Sequence, residues 1–151
     1  MSNAKPLNGV KILELSSVVT ASLATMILCD QGAEVIKVEP TGIGDSMRHL
    51  GTQKGGFSAI FSNCNRGKKS LNLNLKDQDE VKFLLSLVKE SDVFISNYRP
   101  GVNDRLGLGL KALRKINSKI IYVSISGFGE TGPLASAPAY DHIIQGMSGA
   151  T

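Results

Sequence analysis

The stretch VKILELSSVVTASLATMILCDQGAEVIKVE, residues 10 to 39, decides the fold. VKILEL, 10 to 15, is an apolar run of strand length, and AEVIKVE, 33 to 39, is a second. Between them, residues 20 to 31 put Ala21, Ala24, Ile27 and Leu28 on one face of a helix, which Gly32 ends. Strand, helix and strand in so short a span form a right-handed β-α-β unit with a parallel pair.

The pattern continues outward. LNLNL, 71 to 75, alternates with period two, and the following residues carry Val81, Leu84, Leu85 and Val88 at helical spacing behind an Asp77 cap. DVFISN, 92 to 97, and IIYVSISGFG, 120 to 129, are further strands. RPGVNDRLGL, from 99, holds a turn and a short helix, and LKALRKIN, from 110, is another helical stretch. The final PAYDHIIQGMSGAT, from 138, reads as a helix with Asp141 at the N-cap, a buried Tyr140 before it, an apolar run of Ile143, Ile144 and Met147, and Gly149 as its stop. Alternation of this kind implies an α/β fold, an open and mostly parallel Rossmann-like sheet flanked by helices. At 151 residues with 42% hydrophobic content, one domain with a sizeable core is expected.

In such a sheet ligands collect beyond the carboxyl ends of the strands. Here that means Ser16 to Thr20, Glu39 to Asp45, Asn97 to Gly101 and Gly127 to Pro133, four loops expected to converge. PTGIGDSMRHLGTQKGG, from 40 to 56, is too irregular for an element and reads as a ligand loop. Arg66-Gly67-Lys68-Lys69 is either a solvated loop or an anion site. A net charge of +4 suits a small anionic ligand and is too mild and dispersed for nucleic acid.

Several chemistries are disfavoured. LSSVVTASLA, after the first strand, has no glycine, so it lacks the close backbone approach that GxGxxG gives a dinucleotide, although Glu39 stands where a ribose-binding acid would. Neither a P-loop nor a GxSxG elbow occurs. Cys29, in the first helix, and Cys64, in a loop, have no metal or redox spacing, and His49 and His142 sit in dissimilar contexts, so no metal is expected. No segment approaches the roughly 20 apolar residues of a membrane span. A cytoplasmic protein with reduced thiols and no membrane partner is the expectation.

Five segments in order, GAEVIKVEPTGIGDSMR, SNCNRGKKSLNLNLK, DVFISNYRPGVNDRLGLG, SISGFGETGP and PAYDHIIQGMSG, closely resemble the N-terminal part of the class III CoA-transferases, the family of formyl-CoA transferase, carnitine-CoA transferase and the 2-methylacyl-CoA racemases. The resemblance implies coenzyme A or an acyl-CoA as ligand and a small carboxylic acid as second substrate. Coenzyme A, with its diphosphate, 3′-phosphate and long apolar arm, needs fixed cations, backbone donors and an apolar slot. By the resemblance Arg105 pairs with the CoA phosphates, where a plain reading of the residue gives a surface salt bridge to Asp104 or Glu130. Leu73, Asn74, Leu75 and Lys76 flank adenine and ribose, and Asn97, Tyr98 and Arg99 lie near the pantetheine arm. Val19 and Thr20 contribute from the loop after the first strand. Tyr140 and Asp141 line the thioester end, where plain readings are a core tyrosine and a helix cap.

The chain also departs from the family. Ala21-Ser22 replaces a frequent Gly-Pro, and Pro40 stands where the formyl-CoA transferases have arginine. Tyr140 occupies the position of a racemase histidine base, which favours CoA transfer over a racemase-like activity. The family nucleophile, an aspartate that attacks the thioester to give a mixed anhydride, is expected downstream of this segment. The chain therefore reads as an N-terminal CoA-binding fragment, inactive alone, of enzymes that interlock as homodimers. The alternative is a non-catalytic half of a split enzyme that docks a partner chain.

Overall fold

The computed structural model describes residues 5 to 150. The elements in chain order are β1 (Lys11–Leu15), α1 (Thr20–Asp30), β2 (Glu34–Pro40), a 3-10 turn (Ser46–His49), a hairpin of β3 (Gln53–Lys54) and β4 (Phe57–Ser58), α2 (Ala59–Asn65), β5 (Lys69–Leu73), α3 (Gln78–Val88), β6 (Val93–Ser96), α4 (Val102–Arg105), α5 (Leu110–Ile116), β7 (Ile121–Ser124) and α6 (Asp141–Ser148). The main sheet has the order β5-β2-β1-β6-β7, and every pairing in it is parallel. The order reverses at β1, which makes the carboxyl ends of β1, β2 and β6 the topological switch point. This is the α/β architecture the strand and helix alternation implies.

Period-two alternation sorts the strand side chains between two cores. Leu13 and Leu15 face a large cluster with Val38, Leu73, Leu84, Val88, Phe94, Leu108, Leu113 and Ile120, closed by α3 and α5. Ile12 and Val35 face the other way with Ala21, Ala33 and Ile95, beneath α1. The Asp77 carboxylate caps α3 by accepting from the Asp79 and Glu80 N–H groups. Gly149, at φ 75°, closes α6 in the left-handed conformation.

The structure corrects several expectations. α1 buries Ala21, Ser22, Thr25 and Met26, while Ile27 stays exposed. The helix is thus rolled towards its hydroxyl face, because a charged pair lies beneath it. The stretch after β2 is partly ordered, with a 3-10 turn and a hairpin, and Cys64 sits buried in α2 rather than in a loop. β5 runs from Lys69 to Leu73, two residues earlier than the alternation suggests. β7 stops at Ser124, short of the predicted end, as the chain bends through Gly127 and Gly129. Tyr140 is 69% exposed rather than buried, and it, not Asp141, occupies the N-cap of α6. Asp141 is the first helical residue and accepts from Gln145 Nε2.

Candidate functional site

At the switch point three of the four strand-end loops are tied together by side chains. The Ser17 N–H donates to Asn97 Oδ1 (3.0 Å), and Asn97 Nδ2 donates to the Ser17 carbonyl (2.7 Å) and to Thr20 Oγ1 (3.0 Å). From the other side, the Val18 N–H donates to Asp45 Oδ1 at 3.1 Å. Val18 itself has φ 61°, the one non-glycine residue with positive φ among the described residues. A β-branched side chain in that region is strained and persists only where its surroundings enforce it.

The fourth loop meets the third across a cleft lined by Tyr98, Arg99, Asp104, Tyr122, Ser124 and Glu130. At about 130 Å³ it is smaller than the 300 Å³ at which small-molecule sites usually begin. In its floor Asn103 Nδ2 donates to the Tyr122 hydroxyl (3.0 Å), and Tyr122 stacks on Phe94 with centroids 5.4 Å apart. Burial pushes the Tyr98 and Tyr122 hydroxyls above the usual phenol range, so both remain protonated donors.

The candidate residues fall into four groups. Val19, the N-cap of α1, Thr20 and Asn97 come together at the switch point, with Tyr98 and Arg99 leading from it into the cleft. Arg105 ends α4, exposed, its guanidinium folded back so that Nη1 lies 3.4 Å from where a Cβ on Gly101 would stand. Among the described residues no carboxylate lies within ion-pair distance of it, so the plain salt-bridge reading with Asp104 or Glu130 does not hold. Leu73 is buried in the large core, Leu75 packs at its border, and Asn74 and Lys76 are exposed just beyond the edge strand β5. Tyr140 and Asp141 are exposed at the start of α6.

Beneath the switch point lies an ionic cluster that the sequence reading missed. Glu14 and Lys37 are direct cross-strand neighbours in the β1–β2 register, both fully buried on the α1 face. Lys37 Nζ contacts Glu14 Oε1 at 2.8 Å and Asp45 Oδ2 at 2.9 Å, and donates to the hydroxyls of Ser16 and Ser22. Glu14 Oε2 accepts from Lys68 Nζ (2.8 Å) and Thr25 Oγ1 (2.6 Å). Burial alone would raise the Glu14 pKa, but the two ammonium groups outweigh it and hold the carboxyl at about 2. Burial also pushes Lys68 below the usual lysine range, against the pull of Glu14.

Glu39 is likewise buried, and both its oxygens are engaged by the Arg48 guanidinium (2.6 and 2.7 Å), with the Asp45 N–H and the Ser70 hydroxyl as further donors. Its burial is offset chiefly by the Arg48 hydrogen bond, and its pKa is about 2. Glu39 is thus committed to shaping the loop after β2. The Arg66–Lys69 run is an exposed turn entering β5, but Lys68 is not free to take an anion: its ammonium is buried against Glu14, while exposed Arg66 pairs with Asp30 and exposed Lys69 with Glu34. Opposite charges at matching positions of two strands covered on both faces were the available signal. Among the described residues no cluster of three or more His, Cys, Asp or Glu side chains could hold a metal ion, and no helix is long and apolar enough to cross a membrane.

The parallel α/β sheet places this strained, side-chain-held loop at its switch point, where open sheets of this class offer a ligand crevice. The chain belongs to CoA-transferase family III, whose family model matches residues 7 to 151. It is 49% identical over 144 residues to an acetyl-CoA:oxalate CoA-transferase of Acetobacter aceti, covering 95% of this chain and 37% of that protein. It is 45% identical over 150 residues to the succinyl-CoA:glutarate CoA-transferase of Homo sapiens, covering 99% and 34% respectively. Among solved structures, a CAIB/BAIF family protein from Brucella suis superposes with a TM-score of 0.91 at 40% identity, over 97% of this chain and 40% of that one. Rv3272 of Mycobacterium tuberculosis superposes with a TM-score of 0.92 at 36% identity, over 98% and 42%. The chain thus spans somewhat over a third of the length of these relatives.

Proposed function

We propose that residues 1 to 151 form the N-terminal, CoA-binding α/β domain of an enzyme that moves coenzyme A between an acyl-CoA and a carboxylic acid. The observation that carries this reading is the family match over nearly the whole chain, 7 to 151, with the strand-end loops tied together at the switch point. Both named relatives take a dicarboxylic acid, so a short dicarboxylate is the first candidate acceptor. Val19, Thr20 and Asn97 border the ligand at the switch point, with Tyr98 and Arg99 along the pantetheine arm. Leu73 to Lys76 supply the adenine edge through backbone and exposed polar groups, since the Leu73 side chain belongs to the core. Tyr140 and Asp141 face the thioester.

In this scheme an aspartate carboxylate beyond residue 151 attacks the thioester carbonyl. The C–S bond breaks, CoA leaves as thiolate and an aspartyl–acyl anhydride forms; the thiolate attacks its aspartyl carbonyl, releasing the donor carboxylate and leaving an aspartyl-CoA thioester, and the acceptor carboxylate then runs the two steps in reverse, leaving as its CoA thioester and restoring the aspartate. The residues of this chain bind and orient CoA and do not supply the nucleophile, so the chain alone is inactive. The whole enzyme works in the cytoplasm as an interlocked homodimer.

Arg105, exposed and without a carboxylate partner among the described residues, is the cation for phosphate. Arg105→Ala is expected to weaken CoA binding by about 1.5 to 3 kcal/mol, the range for a charge-assisted hydrogen bond. Titration calorimetry on the folded variant checks it. An unchanged affinity would remove Arg105 from the site.

A further inference from the structure

We propose that Asp45 is a positioning residue that holds the loop after β1 in its strained form. The Asp45 side chain is buried, and Oδ1 accepts at once from the Val18 N–H (3.1 Å) and the Met47 N–H (2.9 Å). Its other oxygen, Oδ2, lies 2.9 Å from Lys37 Nζ and has no hydrogen-bond partner of acceptable geometry, so Asp45 is held there by charge. Lys37 is itself anchored by Glu14 and by the Ser16 carbonyl (3.3 Å) and hydroxyl (3.2 Å). The Asp45 N–H donates to Glu39, which Arg48 fixes in turn. The loop after β2 is therefore built so that one carboxylate reaches across and takes the amide of Val18.

That amide belongs to the residue whose φ is 61°. Valine left to itself would relax to negative φ, and the peptide planes on either side of Val18 would rotate with it. Asn97 holds the loop one residue earlier and again at Thr20, so relaxation at Val18 would be felt between two fixed points, at Val19. In this proposal Asp45 acts through Val18 and not on the ligand or the reacting atoms. The functional part of the inference rests on the CoA-binding reading above, whereas the mechanical part does not.

A double-mutant test separates a clamp from a merely structural residue. Asp45→Ala is expected to speed amide hydrogen exchange at Val18 by about tenfold or more and to lower CoA affinity by about tenfold, as for loss of a hydrogen bond to a charged acceptor. Glycine occupies positive φ without steric cost, so adding Val18→Gly is expected to bring the affinity back to within about threefold of the starting chain. Unchanged exchange at Val18 in folded Asp45→Ala would overturn the clamp whatever CoA does. Failure of Val18→Gly to restore a lost affinity would overturn the positioning role.

Should Asp45→Ala not fold, Asp45→Asn takes its place: it removes the charge that Lys37 holds and turns an NH2 group towards either that ammonium or the Val18 amide, so faster exchange at Val18 is expected in it as well. Unchanged exchange at Val18 in folded Asp45→Asn would overturn the clamp. If the unsubstituted chain fails to bind CoA while Asp45→Ala still accelerates exchange at Val18, the clamp stands and the CoA reading falls.

Discussion

Glu14→Gln lowers the stability of the folded chain by about 3 to 5 kcal/mol, the cost of breaking a buried ion pair by removing one partner. The substitution is isosteric, so the effect isolates charge. One Glu14 oxygen receives Lys37, Ser16 and Ser22, and the other receives Lys68 and Thr25. Whichever way a glutamine amide turns, its NH2 group meets a lysine ammonium with no acceptor between them. Urea denaturation of both proteins gives the difference. A change below about 1 kcal/mol would mean that the cluster is hydrated and relaxes, as an exposed pair would.

Acid is expected to unfold the chain through the same groups. The Glu14 and Glu39 carboxyls have pKa values of about 2 in the fold, against 4.5 when unconstrained. Below 4.5 the unfolded chain therefore takes up protons that the folded chain refuses, and stability falls as pH falls. The contribution is fully present above about pH 5 and lost progressively towards pH 2, reaching at most about 3 kcal/mol for each carboxylate. Against a typical total of about 5 to 15 kcal/mol, that loss decides whether the domain stays folded near pH 3. Far-ultraviolet circular dichroism between pH 7 and pH 2 checks it. A native spectrum with unchanged thermal midpoint throughout would contradict the buried-pair account.

These two results concern residues that the sequence shows plainly and yet disguises. VKILEL and AEVIKVE are recognisable as strands because four of six and four of seven residues, in turn, are apolar, and the rest are charged. What pattern alone cannot convey is register. Only the pairing of Glu14 with Lys37 turns two isolated charges into a buried couple, and only that couple explains why α1 presents Ser22 and Thr25 to the sheet and leaves Ile27 outside. The Asp77 cap and the Gly149 stop were legible because each depends on local chemistry, and the parallel sheet because strands and helices alternate along the chain.

α2 was not legible for a different reason. Its seven residues, AIFSNCN, bury only Phe61 and Cys64, too few for a helical period to emerge, and its Ser58 cap sits in a short hairpin. The convergence of strand-end loops was readable from topology, and the bonds of Asn97 to Ser17 and Thr20 give it atomic form. Asp45 lies within the loop expected to meet ligand, but its reach to Val18 crosses 27 residues of chain and has no signature in sequence. The exposure of Tyr140, in turn, reflects a terminal helix that buries none of its residues against the sheet.

The central claim, that this α/β domain carries a CoA site, is tested most directly by titrating CoA into the purified chain, with ADP as the comparison, once circular dichroism shows it folded. The account predicts saturable binding of CoA and weaker binding of ADP, which lacks the pantetheine arm and the 3′-phosphate. A folded chain that gives no binding at about 1 mM CoA, an affinity worth less than about 4 kcal/mol, would contradict it.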